Sequence, residues 1–150
     1  MPDAIPHVLI VEDDDPIRTL LTAAMRREAL GVHTARDGAE ALELTKSMEY
    51  AVIILDLMMP RIDGFEFLEA IRAAGLATRS VIFVITAFSD THVARLDGKQ
   101  VHAIIHKPFD VPQLVTMVRE VALQWKAQTK GTAAAVREES PADDVGDIVH

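Results

Sequence analysis

The sequence predicts a doubly wound α/β domain built on one five-stranded parallel sheet, and three observations carry that prediction. Four short apolar runs, Val8 to Val11, Ala51 to Leu55, Val81 to Ile85 and Ala103 to Ile105, are rich in Val and Ile and too short to be helices. Runs of this kind are strands buried on both faces, which is the habit of parallel sheets. The stretches between them carry apolar residues at helical spacing, so strand and helix alternate. Right-handed crossovers then place helices on both faces of the sheet.

In chain order, the first strand leads into Ile17, Leu20, Leu21, Ala24 and Met25, spaced i, i+3, i+4, i+7, i+8. Asp15 is expected to cap this helix, with Pro16 at its first turn. A weaker strand, Val32 to Ala35, follows Gly31 and completes the five. The third run, Ala51 to Leu55, passes through MMPRIDG, where Asp63-Gly64 opens a helix marked by Phe67, Leu68, Ile71 and Ala74. After the fourth run, SDTHVARLDGKQVHA separates it from the fifth. Leu114, Val115, Val118, Val121, Ala122 and Trp125 then make a last amphipathic helix, with Trp125 closing the core. From Lys126 the periodicity stops and Gly, Ala, Pro, Ser and acidic residues gather, a composition that buries too little surface to order itself. The reading is a folded domain over residues 1–125 and a flexible acidic tail over 126–150.

The 150 residues suit a single domain. Lys plus Arg number 15 against 23 Asp plus Glu, a net charge of −8, so a basic surface that tracks phosphates is lacking and direct nucleic-acid binding is not expected. The absence of Cys excludes disulfides, thiolate metal sites and thiol nucleophiles together, and fits a reducing compartment. No apolar run approaches the roughly 20 residues that cross a bilayer, and MPDAIPH lacks the pattern of a secretory leader. A cytoplasmic location without a membrane partner is the expectation. His102 and His106 are the only histidines four apart, and they bracket the run Ala103 to Ile105 read as a strand, so no zinc helix is expected; neither GxxxxGK[ST] nor GxGxxG appears.

Open parallel sheets bind ligands beyond the carboxyl ends of their strands, where the strand order reverses. Strand one runs into Glu12, Asp13, Asp14 and Asp15, strand three into Asp56, strand four into Thr86 and strand five into His106 and Lys107. Strand two ends at Ala35 and Arg36. In the order 2-1-3-4-5 the strand without chemistry is an edge, and the other four tips surround one place. Asp15 is assigned to capping and Asp14 to the field of the helix N-terminus. Glu12, Asp13 and Asp56 would then crowd together. Two like charges about 4 Å apart repel by about 4 kcal/mol at an effective dielectric near 20. Such a cluster calls for a counter-ion, and oxygen-only ligands suit Mg²⁺ or Mn²⁺; without one, a carboxylate should titrate high. Taken singly, Asp56 reads equally as a turn former, and Thr86 and Lys107 more often as a strand residue and a surface lysine. Taken together, a carboxylate nucleophile, a metal, a hydroxyl and an ammonium are the parts that take a phosphoryl group in line.

The stretches VLIVEDDDPIR, VIILDLMMPRIDGFEFL, VIFVITA and HKPF, in this order and at these separations, resemble the receiver domain of two-component response regulators from about His7 to Gln124. The resemblance implies a flavodoxin-like (βα)5 three-layer sandwich with strand order 2-1-3-4-5. It implies that Asp56 is the phosphoacceptor, that Glu12, Asp13 and Asp56 hold Mg²⁺ together with the backbone carbonyl of Met58, and that Thr86 bonds the phosphoryl oxygen. Lys107 would pair with Asp56 before reaction and with the phosphoryl group after it, and the Lys107-Pro108 bond would be cis. The implied donor is a phosphohistidine on a sensor histidine kinase or histidine phosphotransfer protein, and the implied output is contact with a downstream protein target. The domain would assist its own phosphorylation and hydrolysis without turning over a separate substrate.

Two departures from the family pattern stand out. Members generally place Tyr or Phe three residues before the lysine, as a switch partner of Thr86, and this chain has Ile104. The segment before strand five also lacks the usual Gly-Ala-Asp and is about one residue short, which predicts an abbreviated crossover helix. Both features favour an alternative, a receiver-like interaction module working without phosphate. A Mg²⁺-dependent aspartate-nucleophile phosphohydrolase ranks lower, because such enzymes need a second Asp two residues after the nucleophile, where Met58 stands.

Overall fold

The computed structural model describes residues 5–59, 61–87 and 93–138, with side chains through Gln128. The elements are β1 (His7–Val11), α1 (Asp15–Arg26), β2 (Gly31–Ala35), α2 (Gly38–Ser47), β3 (Val52–Asp56), α3 (Gly64–Ala74), β4 (Val81–Thr86), β5 (Ala103–His106) and α4 (Val111–Glu138). All pairings are parallel, as the strand pattern predicts, and the order is β2-β1-β3-β4-β5, the flavodoxin-like arrangement that the resemblance implies.

Alternation along the strands explains why their sequences are continuously apolar. Val8, Ile10, Val52, Ile54, Phe83 and Ile85 face one way and pack with Leu21 and Met25 of α1 and Leu114, Val118 and Ala122 of α4. Leu9, Val11, Ile53, Leu55, Ile82 and Val84 face the other way, against Ala41 of α2 and Phe67, Leu68 and Ile71 of α3. Each strand side chain thus meets a helix layer on its own face, and truncating one such Leu or Ile to Ala costs about 2–5 kcal/mol.

Two details differ from the sequence expectation, and a third lies partly outside the described residues. The N-cap of α1 is Asp14, whose side chain accepts the Ile17 N–H at 2.9 Å, so Asp15 is the first helical residue. Asp15 instead pairs with Arg18 one turn on. At the other end, α4 does not stop near Trp125 but runs to Glu138, into the segment expected to be a flexible tail. The hydrophobic period ends where packing ends, but Lys126, Ala127 and Gln128 are strong helix formers and the helix continues on propensity. Finally, residues 94–100 before β5 form turns and bends, and the abbreviated crossover helix expected here falls in part outside the described residues.

Other local expectations hold. Asp63 and Glu66 form a reciprocal capping box at the start of α3, which ends at the left-handed Gly75. Trp125 packs at the edge of the core and donates its indole N–H to the Arg79 carbonyl at 3.0 Å. Among the described residues no helix is long and apolar enough to cross a membrane.

Candidate functional site

The strand register brings the predicted residues to one edge. Leu55 lies opposite both Val11 and Val84, Asp56 opposite Ile85, and Thr86 opposite His106. Glu12 continues the ladder one residue past β1 by donating its N–H to the Ala35 carbonyl at 3.0 Å. Its carboxylate is thereby drawn inward, and Glu12, Asp56 and Thr86 are 2%, 3% and 0% exposed. Asp13, the next residue, faces solvent. Ligand oxygens of Glu12, Asp13 and Asp56 lie within 4.8 Å of one another.

Lys107 enters from β5. Its backbone N–H donates to the Thr86 carbonyl at 3.0 Å, extending the ladder beyond His106, and the Lys107-Pro108 bond is cis. The ammonium Nζ reaches 3.4 Å from Asp56 Oδ2 and 3.3 Å from Glu12 Oε1. Among the described residues Glu12 Oε1 is buried and, apart from this ion pair, has no hydrogen-bond partner. Glu12 Oε2 accepts the Asp14 N–H at 3.1 Å, and Asp56 Oδ1 accepts the Met58 N–H at the same distance. His106, preceding the lysine, turns its side chain to solvent.

One ammonium thus stands against three carboxyls, and the protonation equilibria register the imbalance. Burial first, and then the closeness and charge of the Asp56 carboxylate, push Glu12 up to about 7. Asp13 is raised as well, by desolvation first and the Asp56 charge second. Burial pulls the Lys107 ammonium down, but attraction to Asp56 and Glu12 outweighs it and the net shift is upward. The donor set fits a hard divalent cation: carboxylate oxygens from two adjacent tips and an orphaned buried acceptor aimed among them. An open cleft of about 420 Å³, lined by Asp13, Leu57, Met58, Met59 and Asp63, adjoins this cluster.

The supporting residues are less visible in the sequence. Gly64 opens α3 directly against the end of β3, donating to the Leu57 carbonyl at 3.1 Å. A Cβ there would fall 2.7 Å from Leu57 Cα and 2.9 Å from the Asp56 carbonyl oxygen, so glycine is required by close approach. Asp37 caps α2 and pairs with Arg61 of the β3–α3 loop at 2.8 Å, tying that loop to the neighbouring crossover. Arg18 donates Nη1 to the Glu12 carbonyl at 2.9 Å. Met58 and Ile104 have exposed side chains, and Ile104 sits on β5 opposite Val84.

Comparison with known proteins agrees with this fold. The profile of the family described as response regulator receiver domain matches residues 8–119. The transcriptional regulatory protein SrrA of Staphylococcus aureus is 35% identical over 136 residues, covering 89% of this chain and 52% of that protein, so the chain spans about half the length of the curated relatives it matches. Among solved structures, the chemotaxis protein CheY4 of Vibrio cholerae is 30% identical with a TM-score of 0.70, over 79% of this chain and 99% of that one. The response regulator TrrA of Thermotoga maritima, solved in complex with Mg²⁺ and BeF, is 30% identical with a TM-score of 0.67, over 78% of this chain and 99% of that one.

Proposed function

Because the chain belongs to the response regulator receiver domain family, we propose that it carries a signal by accepting a phosphoryl group on Asp56. The observation that supports this most is the setting of Asp56 at the sheet edge, beside Lys107 on one hand and Glu12 and Asp13 on the other. The donor is a phosphohistidine on a sensor histidine kinase or histidine phosphotransfer protein. An Asp56 carboxylate oxygen attacks phosphorus, the P–N bond to imidazole breaks as the P–O bond forms, and the released imidazole nitrogen takes a proton from solvent. Hydrolysis later returns the carboxylate and inorganic phosphate, so no separate substrate is turned over.

Lys107 neutralises Asp56 before transfer and moves its charge to the phosphoryl oxygens afterwards. Glu12, Asp13 and Asp56, with the Met58 carbonyl, would hold Mg²⁺ or Mn²⁺, which would supply electrostatic shielding between the anionic carboxylate and the anionic donor. Thr86, buried at the tip of β4, offers a hydroxyl to the new phosphoryl group and draws the following loop with it. Output passes to a downstream protein by contact, since a chain of net charge −8 presents little for nucleic-acid phosphates. Ile104 favours one second reading, an interaction module that works without phosphate, because no aromatic ring stands there to follow Thr86.

The test is intact-mass analysis of the purified chain incubated with Mg²⁺ and acetyl phosphate. Wild type gains one phosphoryl group and Asp56→Asn gains none. Equal incorporation in both overturns the assignment.

A further inference from the structure

Resting on the cation-site reading above, we infer that Arg18 is a positioning residue for divalent-cation binding, acting through the Glu12 peptide. Three hydrogen bonds anchor Glu12, beside the ion pair of its Oε1 with Lys107. The Glu12 N–H is held by the Ala35 carbonyl at 3.0 Å, its Oε2 by the Asp14 N–H at 3.1 Å, and its carbonyl oxygen by Arg18 Nη1 at 2.9 Å. The first two come from the backbone and survive side-chain substitution; the third is a side chain from the first turn of α1, only 12% exposed. The same guanidinium pairs with Asp15 through its other nitrogen, and the Arg18 N–H donates to the Asp14 carbonyl at 2.9 Å. Arg18 therefore bridges both ends of the turn that carries Glu12 and Asp13.

The need for such a clamp follows from the charge balance. Three carboxyls face one ammonium, and Glu12 Oε1 is buried without a hydrogen bond. Repulsion would rotate the Glu12 peptide and turn the carboxylate toward solvent. A fork-shaped donor that fastens the carbonyl while its second arm holds Asp15 resists this rotation, and lysine, with one donor centre, cannot grip both groups in the same plane. Arg18 touches none of the ligand oxygens. Its role is that of the outer groups around metal centres, whose loss typically weakens binding 10–100-fold.

Mg²⁺ binding measured by isothermal titration calorimetry at pH 8, alongside thermal melting in EDTA, tests this on the whole chain. Arg18→Ala is expected to weaken Mg²⁺ by about tenfold or more, and Arg18→Lys by an intermediate, severalfold amount. In a Glu12→Gln background the further effect of Arg18→Ala should fall below about twofold, because the carboxylate it positions is gone. Wild-type affinity in Arg18→Ala, or an undiminished loss in the Glu12→Gln background, overturns the inference. If Arg18→Ala does not fold, Arg18→Lys decides, and affinity equal to wild type overturns it. Failure of wild type itself to bind Mg²⁺ overturns the cation-site reading and this inference with it, a result distinct from selective failure of the Arg18 variants.

Discussion

Lys107 Nζ lies 3.4 Å from Asp56 Oδ2, across the sheet edge from β5 to β3, while its own backbone N–H is fixed to the Thr86 carbonyl on the strand between them. The contact joins residues 51 positions apart in sequence and exists because β4 pairs with both neighbours in parallel register. Removing the ammonium leaves Glu12 and Asp56 buried with no cation paired to them among the described residues. Lys107→Met should therefore destabilise the fold at pH 8 by about 1–3 kcal/mol in EDTA, reduced from a fully buried pair by the partial exposure of the lysine. Urea denaturation with and without Mg²⁺ checks this, and the deficit should shrink when Mg²⁺ is present.

Glu12 supplies the pH dependence. Its carboxyl is raised from 4.5 to about 7, so the folded chain binds this proton more tightly than the unfolded chain does. The stability it contributes is fully present below pH 4.5 and is lost as pH rises through 7, the opposite of an ion-paired acid. In the absence of metal, Glu12→Gln should remove that slope between pH 4.5 and 7 and leave the protein about 1–3 kcal/mol more stable at pH 8. Denaturation midpoints of both forms across this range give the answer, and identical slopes would contradict it.

Metal binding must expel the same proton. Mg²⁺ affinity should fall on acidification below pH 7, approaching about tenfold per pH unit where Glu12 is largely protonated. Calorimetric titrations at pH 5.5, 6.5 and 7.5, in buffers of different ionisation enthalpy, should register proton release at the lower values. A pH-independent affinity would mean that Glu12 is not a ligand.

Gly64→Ala probes the scaffold beneath the site. The added methyl would meet backbone atoms of Leu57 and Asp56 at under 3 Å, so α3 or the β3 tip must shift. A cost of about 1–3 kcal/mol and weaker Mg²⁺ binding are expected together, read by denaturation and calorimetry. Loss of stability with unchanged Mg²⁺ affinity would show that the shift spares the Asp56 tip.

The sequence makes legible what depends on burial over several residues. Runs such as Val52 to Leu55 are apolar throughout because each face meets its own helix layer, and this places the strand tips and the acids that follow them. Fine capping is less legible: Asp14 and Asp15 are chemically equivalent, and only the dihedral angles at the start of α1 select the former. Residues 38–47 of α2 show little amphipathic contrast, so that helix is implied by alternation without being marked by its own residues. The end of α4 escapes because hydrophobic period reports packing, whereas Ala and Lys sustain a helix without it. Arg18 and the Asp37–Arg61 pair act through contacts that no spacing announces.

The proposed phosphorylation requires a divalent cation and Asp56 to act together at the crowded edge of the sheet. Peptide mapping by mass spectrometry of wild type treated with acetyl phosphate, in Mg²⁺ and in EDTA, tests it most directly. The account predicts one phosphoryl group, on the peptide containing Asp56 and in Mg²⁺ alone; incorporation that is equal in EDTA, or that maps to another residue, would contradict it.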